Sequence, residues 1–251
     1  MTLRFLEFAV PLAVLLALWQ AVSIELDNYD IVPPPGMVFE AWWDLWLSDL
    51  PVDIQSSLVH LGAGYGAGVS LGMVLAILSA RFIYVQAIVD PLVEMLRPIA
   101  AIAWIPIAIL MFGVGRMVPI FLIFYAATFP MFLSTFAGIK ETDRQLIQAA
   151  EMLGASRRMV ITHVVLPAAV PMVLAGARLS LGVGWMAMVA AELIGASAGL
   201  GWRIFWYQEF FRMDKVMAVI LTIGVLGFLI DLAMRRLQSW LTRWSPEHWE
   251  A

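Results

Sequence analysis

Apolar residues along this chain come in long unbroken runs separated by short polar stretches. Membrane-crossing β-strands would instead alternate in segments of about ten residues. Continuous runs of this length predict helices, which satisfy their own backbone hydrogen bonds in lipid. The pattern gives six spans, at 8–24, 57–80, 98–115, 117–139, 168–193 and 216–234. An all-α membrane protein follows, a six-helix bundle forming one domain over residues 1–251.

The first run, Phe8–Ile24, could be read as a signal peptide, since Ala21-Val22-Ser23 has small residues where cleavage would fall. An uncleaved span is the better reading, because the rest of the chain is itself membrane-embedded. The 25–53 loop follows, with seven acidic residues and no Lys or Arg, an extended turn at Pro33-Pro34-Pro35-Gly36, and a short interfacial helix over Val38–Leu47. Gly64, Gly68 and Gly72 recur every fourth residue on the next helix, a small-residue face for close packing rather than a nucleotide cradle. His60 reads as a capping or interfacial residue. Asp90, Glu94 and Arg97 share one face of a polar-edged helix over 82–97. Pro106 should bend the 98–115 run, and Gly113 to Arg116 should make a tight exit from it. Residues 197–215 read as an aromatic-rich loop, and Trp240 and Trp244 as interface anchors.

Composition agrees: 62% of residues are hydrophobic and 14% charged, against about 25% charged in soluble domains. Net charge is −4 with no basic run, which argues against nucleic acid. There is no cysteine, which excludes disulfides and thiolate metal sites, and no spacing suggests another metal site. Nine Lys/Arg fall on the side of the termini and four on the other (Arg116, Arg203, Arg212, Lys215). The positive-inside bias therefore predicts cytoplasmic termini, an external 25–53 loop and a cytoplasmic 140–167 segment.

That segment, Lys140–Pro167, is the most informative polar stretch. Thr142 and Gln145 fit a capping box. Leu146, Ala149, Ala150 and Leu153 form one apolar stripe. Gly154 stops the helix, and Ser156 can cap a second one running to His163, with Arg157 and Arg158 at the tip. The pattern alone leaves two readings open: a knob that docks into another protein, or an amphipathic hairpin lying on lipid headgroups.

This stretch resembles the EAA loop of ABC-importer permease subunits. Gln148-Ala149-Ala150, Gly154, Val164 and Leu166-Pro167 stand at the spacing of that pattern, with Gln148 in place of its leading Glu. The nitrate, sulfonate, taurine and bicarbonate branch is the most similar. Residues outside the loop carry that likeness, among them Val32-Pro33-Pro34-Pro35, Leu96-Arg97-Pro98-Ile99, Ala191-Glu192-Leu193 and Gly199-Leu200-Gly201. The resemblance implies a type I importer permease in the bacterial inner membrane, paired with a second copy. It implies two ATP-binding-cassette ATPase subunits docked on the two loops, and a periplasmic or lipid-anchored binding protein delivering a small anion. The chain has no Gly-xxxx-Gly-Lys-Ser/Thr, so ATP would be bound and hydrolysed by the partner, with no cofactor and no catalytic residue here.

Two charges fall inside the fifth span. Arg178 lies 11 residues past Pro167, about 16 Å at 1.5 Å per residue, near mid-bilayer, and Glu192 lies near its far end. Each of these, and Arg97, which also lies in or near the bilayer, could line a pathway, Arg178 meeting an anion, or could pair within the bundle, Arg178 with Asp90, Glu94 or Asp231. The competing functional class is a stand-alone secondary carrier, which would carry mid-span coupling carboxylates and often an internal repeat; neither is evident. An intramembrane enzyme would need a catalytic constellation that the sequence does not contain.

Overall fold

The computed structural model describes residues 2–242, with side chains from Val10 onward except Leu12. Trp244, assigned above to the interface, lies outside the described residues. Eleven α-helices run in order among them: α1 (Thr2–Leu26), α2 (Pro35–Trp46), α3 (Leu50–Arg81), α4 (Ile83–Leu96), α5 (Ile105–Phe112), α6 (Met117–Lys140), α7 (Arg144–Met152), α8 (Arg157–Val160), α9 (Leu166–Gly195), α10 (Leu200–Glu209) and α11 (Met213–Leu241).

The bundle is built on α6, which packs between α3 and α9. Lipid supplies no hydrophobic drive for helices to associate, so close backbone approach has to do that work. The Gly64-xxx-Gly68-xxx-Gly72 face meets α6 as expected. A Cβ on Gly64 would lie 2.6 Å from the Ile120 carbonyl oxygen, one on Gly68 2.6 Å from that of Phe124, and one on Gly72 2.5 Å from that of Thr128. The contacts advance together along both helices, so α3 and α6 run parallel. On the other side of α6 the order reverses. Gly138 faces Ala169 and Met172, Gly176 faces Ser134, and Gly195 faces Val118, so α9 runs antiparallel to α6.

Four helical segments are long and apolar enough to cross a membrane: α3, α6, the continuous 157–195 helix that contains α9, and α11. The third expected span, 98–115, is not a straight crossing. Residues 101–104 form a 3-10 turn, α5 has only eight residues, and the pair made by α4 and 101–112 is bent by 90°. The bend lies at the end of α4, around residues 97–100. Pro106 does not cause it, as it sits in the first turn of α5, where its missing N–H has no intrahelical partner to lose. Ile105 and Ala108 of α5 bury against Val118, Leu122 and Ala191, which anchors the short helix on α6 and α9.

Two further expectations are corrected. Residues 197–215 are not an irregular loop, because α10 occupies 200–209. The acidic stretch ending at Asp53 is also shorter than expected as a loop: α3 begins at Leu50 and takes Asp53 into its first turn. The predicted short helix of that region is α2, whose Val38, Ala41 and Leu45 bury against Leu200, Tyr207, Val216, Ala218 and Val219. Trp42 Nε1 donates to Thr222 Oγ1 at 3.0 Å, tying α2 to α11.

Gly68→Val should destabilise the bundle by about 1–3 kcal/mol, because the neighbour is backbone and cannot move aside. Gly66→Ala, with nothing within 4 Å of the added Cβ, should stabilise by up to about 1 kcal/mol. Thermal unfolding in detergent checks both; equal shifts would mean that the α3–α6 approach is not limiting.

Candidate functional site

The 140–167 segment folds as two helices around a glycine, with local corrections. Asp143, not Thr142, caps α7: its carboxylate accepts from the Gln145 N–H at 2.8 Å. Thr142 instead donates back to the Gly138 carbonyl at 3.2 Å, extending the end of α6. Both residue types cap well, but the Thr142 hydroxyl is already engaged in the turn that ends the preceding helix, which leaves the cap to Asp143. Gly154 takes φ +82°, a left-handed conformation that strains any residue with a Cβ. The Ala155 N–H donates to the Ala150 carbonyl at 3.0 Å, closing the turn. Ser156 then caps α8 as expected, accepting from the Met159 N–H.

The second helix does not stop at His163. A π turn over Ile161–Val165 leads directly into α9, giving one helix from Arg157 to Gly195. Its position suits Pro167, whose ring would crowd the His163 carbonyl in a regular α-helix. The knob is therefore a rigid extension of a membrane helix. Gln148 and Ala149 are exposed, Ala150 is half-buried, Arg157 and Arg158 are exposed, and so are Leu166 and Pro167. The most exposed apolar groups among the described residues are Leu153 at 88%, the last member of the predicted stripe, and Met152 at 87%, which lies off it. They stand at the tip, beside the Gly154 turn.

The intramembrane charges are paired. Arg178 Nε donates to Asp231 Oδ1 at 2.8 Å and Nη2 to Oδ2 at 3.3 Å, a forked contact between α9 and α11. Asp231 also pairs with Arg235 one turn on. Glu192 is wholly buried and accepts three hydrogen bonds: from Ser57 Oγ at 2.8 Å, the Gly201 N–H at 2.9 Å, and His60 Nδ1, also at 2.8 Å. His60 is thus a buried core residue of α3 and not an interfacial one.

Glu192 belongs to a larger construction at the start of α10. The first N–H groups of a helix have no intrahelical acceptors and carry partial positive charge. Here three residues from other elements accept from them. Asp53 takes the Gly199 N–H at 3.4 Å, Ser57 the Leu200 N–H at 2.9 Å, and Glu192 the Gly201 N–H. Gly199 has φ +120°, and a Cβ there would strike the Glu192 carboxylate. Asp53 is also paired with Arg203 on α10, and Tyr207 donates to Asp49 at 2.8 Å. Burial, reinforced by that hydrogen bond, pushes the Tyr207 phenol up to about 12, so it remains a donor. Asp49, Asp53, Ser57, His60 and Arg203 escaped the sequence reading as a group because their partners lie more than 130 residues away.

The arrangement thus has a protruding knob at one end of α9, a polar clamp at the other, and a paired charge between them. No group of three or more His, Cys, Asp or Glu side chains that could hold a metal ion is assembled among the described residues. A sequence model described as the binding-protein-dependent transport system inner membrane component matches residues 68–243. The chain belongs to that family.

Relatives of these permeases agree along nearly the whole length. The taurine transport system permease protein TauC of Escherichia coli (strain K12) is 37% identical over 243 residues, 94% of this chain and 88% of that protein. The bicarbonate transport system permease protein CmpB of Synechococcus elongatus is 34% identical over 192 residues, 75% of this chain and 67% of that protein. Among solved structures, an inward-facing MetNI methionine ABC transporter matches with TM-score 0.57 and 21% identity, over 74% of this chain and 91% of that one. An amino acid ABC transporter with histidines matches with TM-score 0.61 and 17% identity, over 76% and 91%. The fold is that of a type I ABC-importer permease, and the protein is a multi-pass inner-membrane component of such an importer. A stand-alone secondary carrier is excluded by this membership.

Asp53→Ala should leave Arg203 half-stranded in the clamp and cost on the order of 3 kcal/mol. Asp44→Ala, on the exposed face of α2, should stay within about 0.5 kcal/mol. Unfolding temperatures in detergent compare the two, and an Asp53 variant as stable as the Asp44 one would remove the clamp's structural role.

Proposed function

We propose that this permease forms the translocation pathway of an importer for a small anion of the sulfonate, taurine, nitrate or bicarbonate kind, working as a homodimer. ATP is bound and hydrolysed by two partner ATPase subunits, one gripping each copy's knob, and an external binding protein delivers the solute. The termini and the knob lie in the cytoplasm, on the side richer in Lys and Arg. The taurine and bicarbonate names of the relatives support the solute class.

One observation carries the coupling assignment: an exposed apolar tip, Met152 and Leu153, stands on a hairpin continuous with a membrane helix. A knob resting on headgroups would lay its apolar stripe flat, with Leu146, Ala149, Ala150 and Leu153 all facing lipid. Here Met152, off that stripe, projects beside Leu153 at the tip, which favours insertion into a groove of another protein. Gln148 and Ala149 then flank the tip as contact residues, and Arg157 and Arg158 offer charge to the rim. Motion applied at the tip passes along the 157–195 helix, about 58 Å at 1.5 Å per residue, as a rigid body. Alternating access follows from closure of the ATPases beneath.

Protein affinity-purified from native membranes should bring ATPase subunits with it. Met152→Asp combined with Leu153→Asp should abolish their recovery and reduce solute uptake at least tenfold, with helix content unchanged by circular dichroism. Recovery of an intact complex from the double variant would overturn the docking assignment.

A further inference from the structure

Two arginines lie at mid-depth in the bundle. Arg178 is neutralised by Asp231. Arg97 makes no ion pair and no side-chain hydrogen bond among the described residues. It sits where α4 ends and the chain turns through 90°. Its level is set by Tyr125, whose hydroxyl donates to the Leu96 carbonyl at 2.6 Å. Tyr125 is eight residues into α6, about 12 Å from that helix's start and about 22 Å from its end. A guanidinium at this depth is costly unless it faces water or an anion.

Arg97 opens onto a groove of about 400 Å³, within the range of small-molecule sites. Tyr125, Phe129 and Leu133 of α6 line it at successive turns, and Leu179 and Val183 of α9 face them. No carboxylate lines it. Glu94, one turn back on α4, is outside both the groove and ion-pair distance. We infer that Arg97 is the residue of the pathway that meets the solute's anionic group, with the groove's apolar wall taking the remainder. The chemistry is that of a planar fork suited to a sulfonate, carboxylate or carbonate edge, in surroundings poor in water and free of a competing acid. The inference rests on the proposed import of small oxyanions and deepens it: the anion site is Arg97, and Arg178 is spent on α11.

The chain contains no cysteine, which permits a direct test. The whole importer, with its ATPases and binding protein, is reconstituted in proteoliposomes, and taurine and bicarbonate uptake are measured. Arg97→Cys should lower uptake at least tenfold without loss of dimer or of bound ATPase, and Arg97→Lys should retain a third or more. Aminoethyl methanethiosulfonate, which restores a cation at that cysteine, should raise uptake at least threefold; the sulfonatoethyl reagent should not. The transported solute should slow modification. Wild-type uptake with an unimpaired Arg97→Cys variant, or equal responses to the two reagents, overturns the assignment to Arg97 alone. Loss of the dimer without protection by solute identifies a second copy's carboxylate as the occupant, and also overturns it. Failure of the wild-type importer to move either solute refutes the oxyanion reading on which the inference stands.

Discussion

Everything in this bundle depends on how closely α6 can be approached. Apolar side chains gain nothing by leaving lipid for one another, so association rests on van der Waals contact and hydrogen bonds. On α3 the side chains are removed every fourth residue, and the backbone of α6 fills the space at Ile120, Phe124 and Thr128. Gly138 on α6 and Gly176 and Gly195 on α9 do the same on the opposite flank. The result is a three-helix slab in which no helix can shift alone. Tyr65, donating to the Ala177 carbonyl, and Ser180, donating to that of Ala127, add hydrogen bonds across the same slab. The outward faces remain broadly apolar, as lipid requires.

That slab gives α9 its mechanical character. Its projecting extension reaches the Gly154 turn, and its far end carries Glu192, locked to Ser57, His60 and the start of α10. A helix held firmly at one end and along its length, but projecting at the other, transmits displacement instead of absorbing it. Its regular hydrogen bonding changes at the π turn over 161–165. It lies where the helix leaves the slab, between the knob and the packed section. The clamp beyond it uses other elements' side chains to cap α10, so α3, α9 and α10 form one unit at that end.

How much of this the sequence discloses depends on range. The knob was legible because its determinants are local: Gly154 for positive φ, Ser156 for a cap, Leu166-Pro167 for the entry to the span. The glycine stripe was legible because its period is that of a helix. The capping residue shifted by one, from Thr142 to Asp143, because both types cap well and only the end of α6 decides between them. The bend at 97–100 was hidden because hydropathy records depth in lipid and not direction, and both arms of the bend are apolar. The clamp was hidden for a different reason. Asp53 and Arg203 are 150 residues apart, so a single chain read in order presents an acidic loop and an aromatic loop with no reason to meet. Glu192 and Gly199–Gly201 were noted as parts of the family likeness, yet only the fold reveals that one caps the other.

The arginines show how the same residue type divides its roles by partner. Arg203 lies against Asp53 and Asp49 and holds α10 to α3. Arg178 is forked onto Asp231, with Arg235 sharing that carboxylate, and holds α9 to α11. Each of these arginines is paired within the chain, which weakens the field it offers to a passing solute. Arg97 differs in having no counter-charge among the described residues, at a break between helices and beside a groove. A protein gains no stability from that arrangement, since pairing or replacement by an apolar residue would be cheaper in lipid. The missing counter-charge is therefore best supplied from outside the chain, and the small oxyanion proposed as the solute has the sign and geometry to supply it.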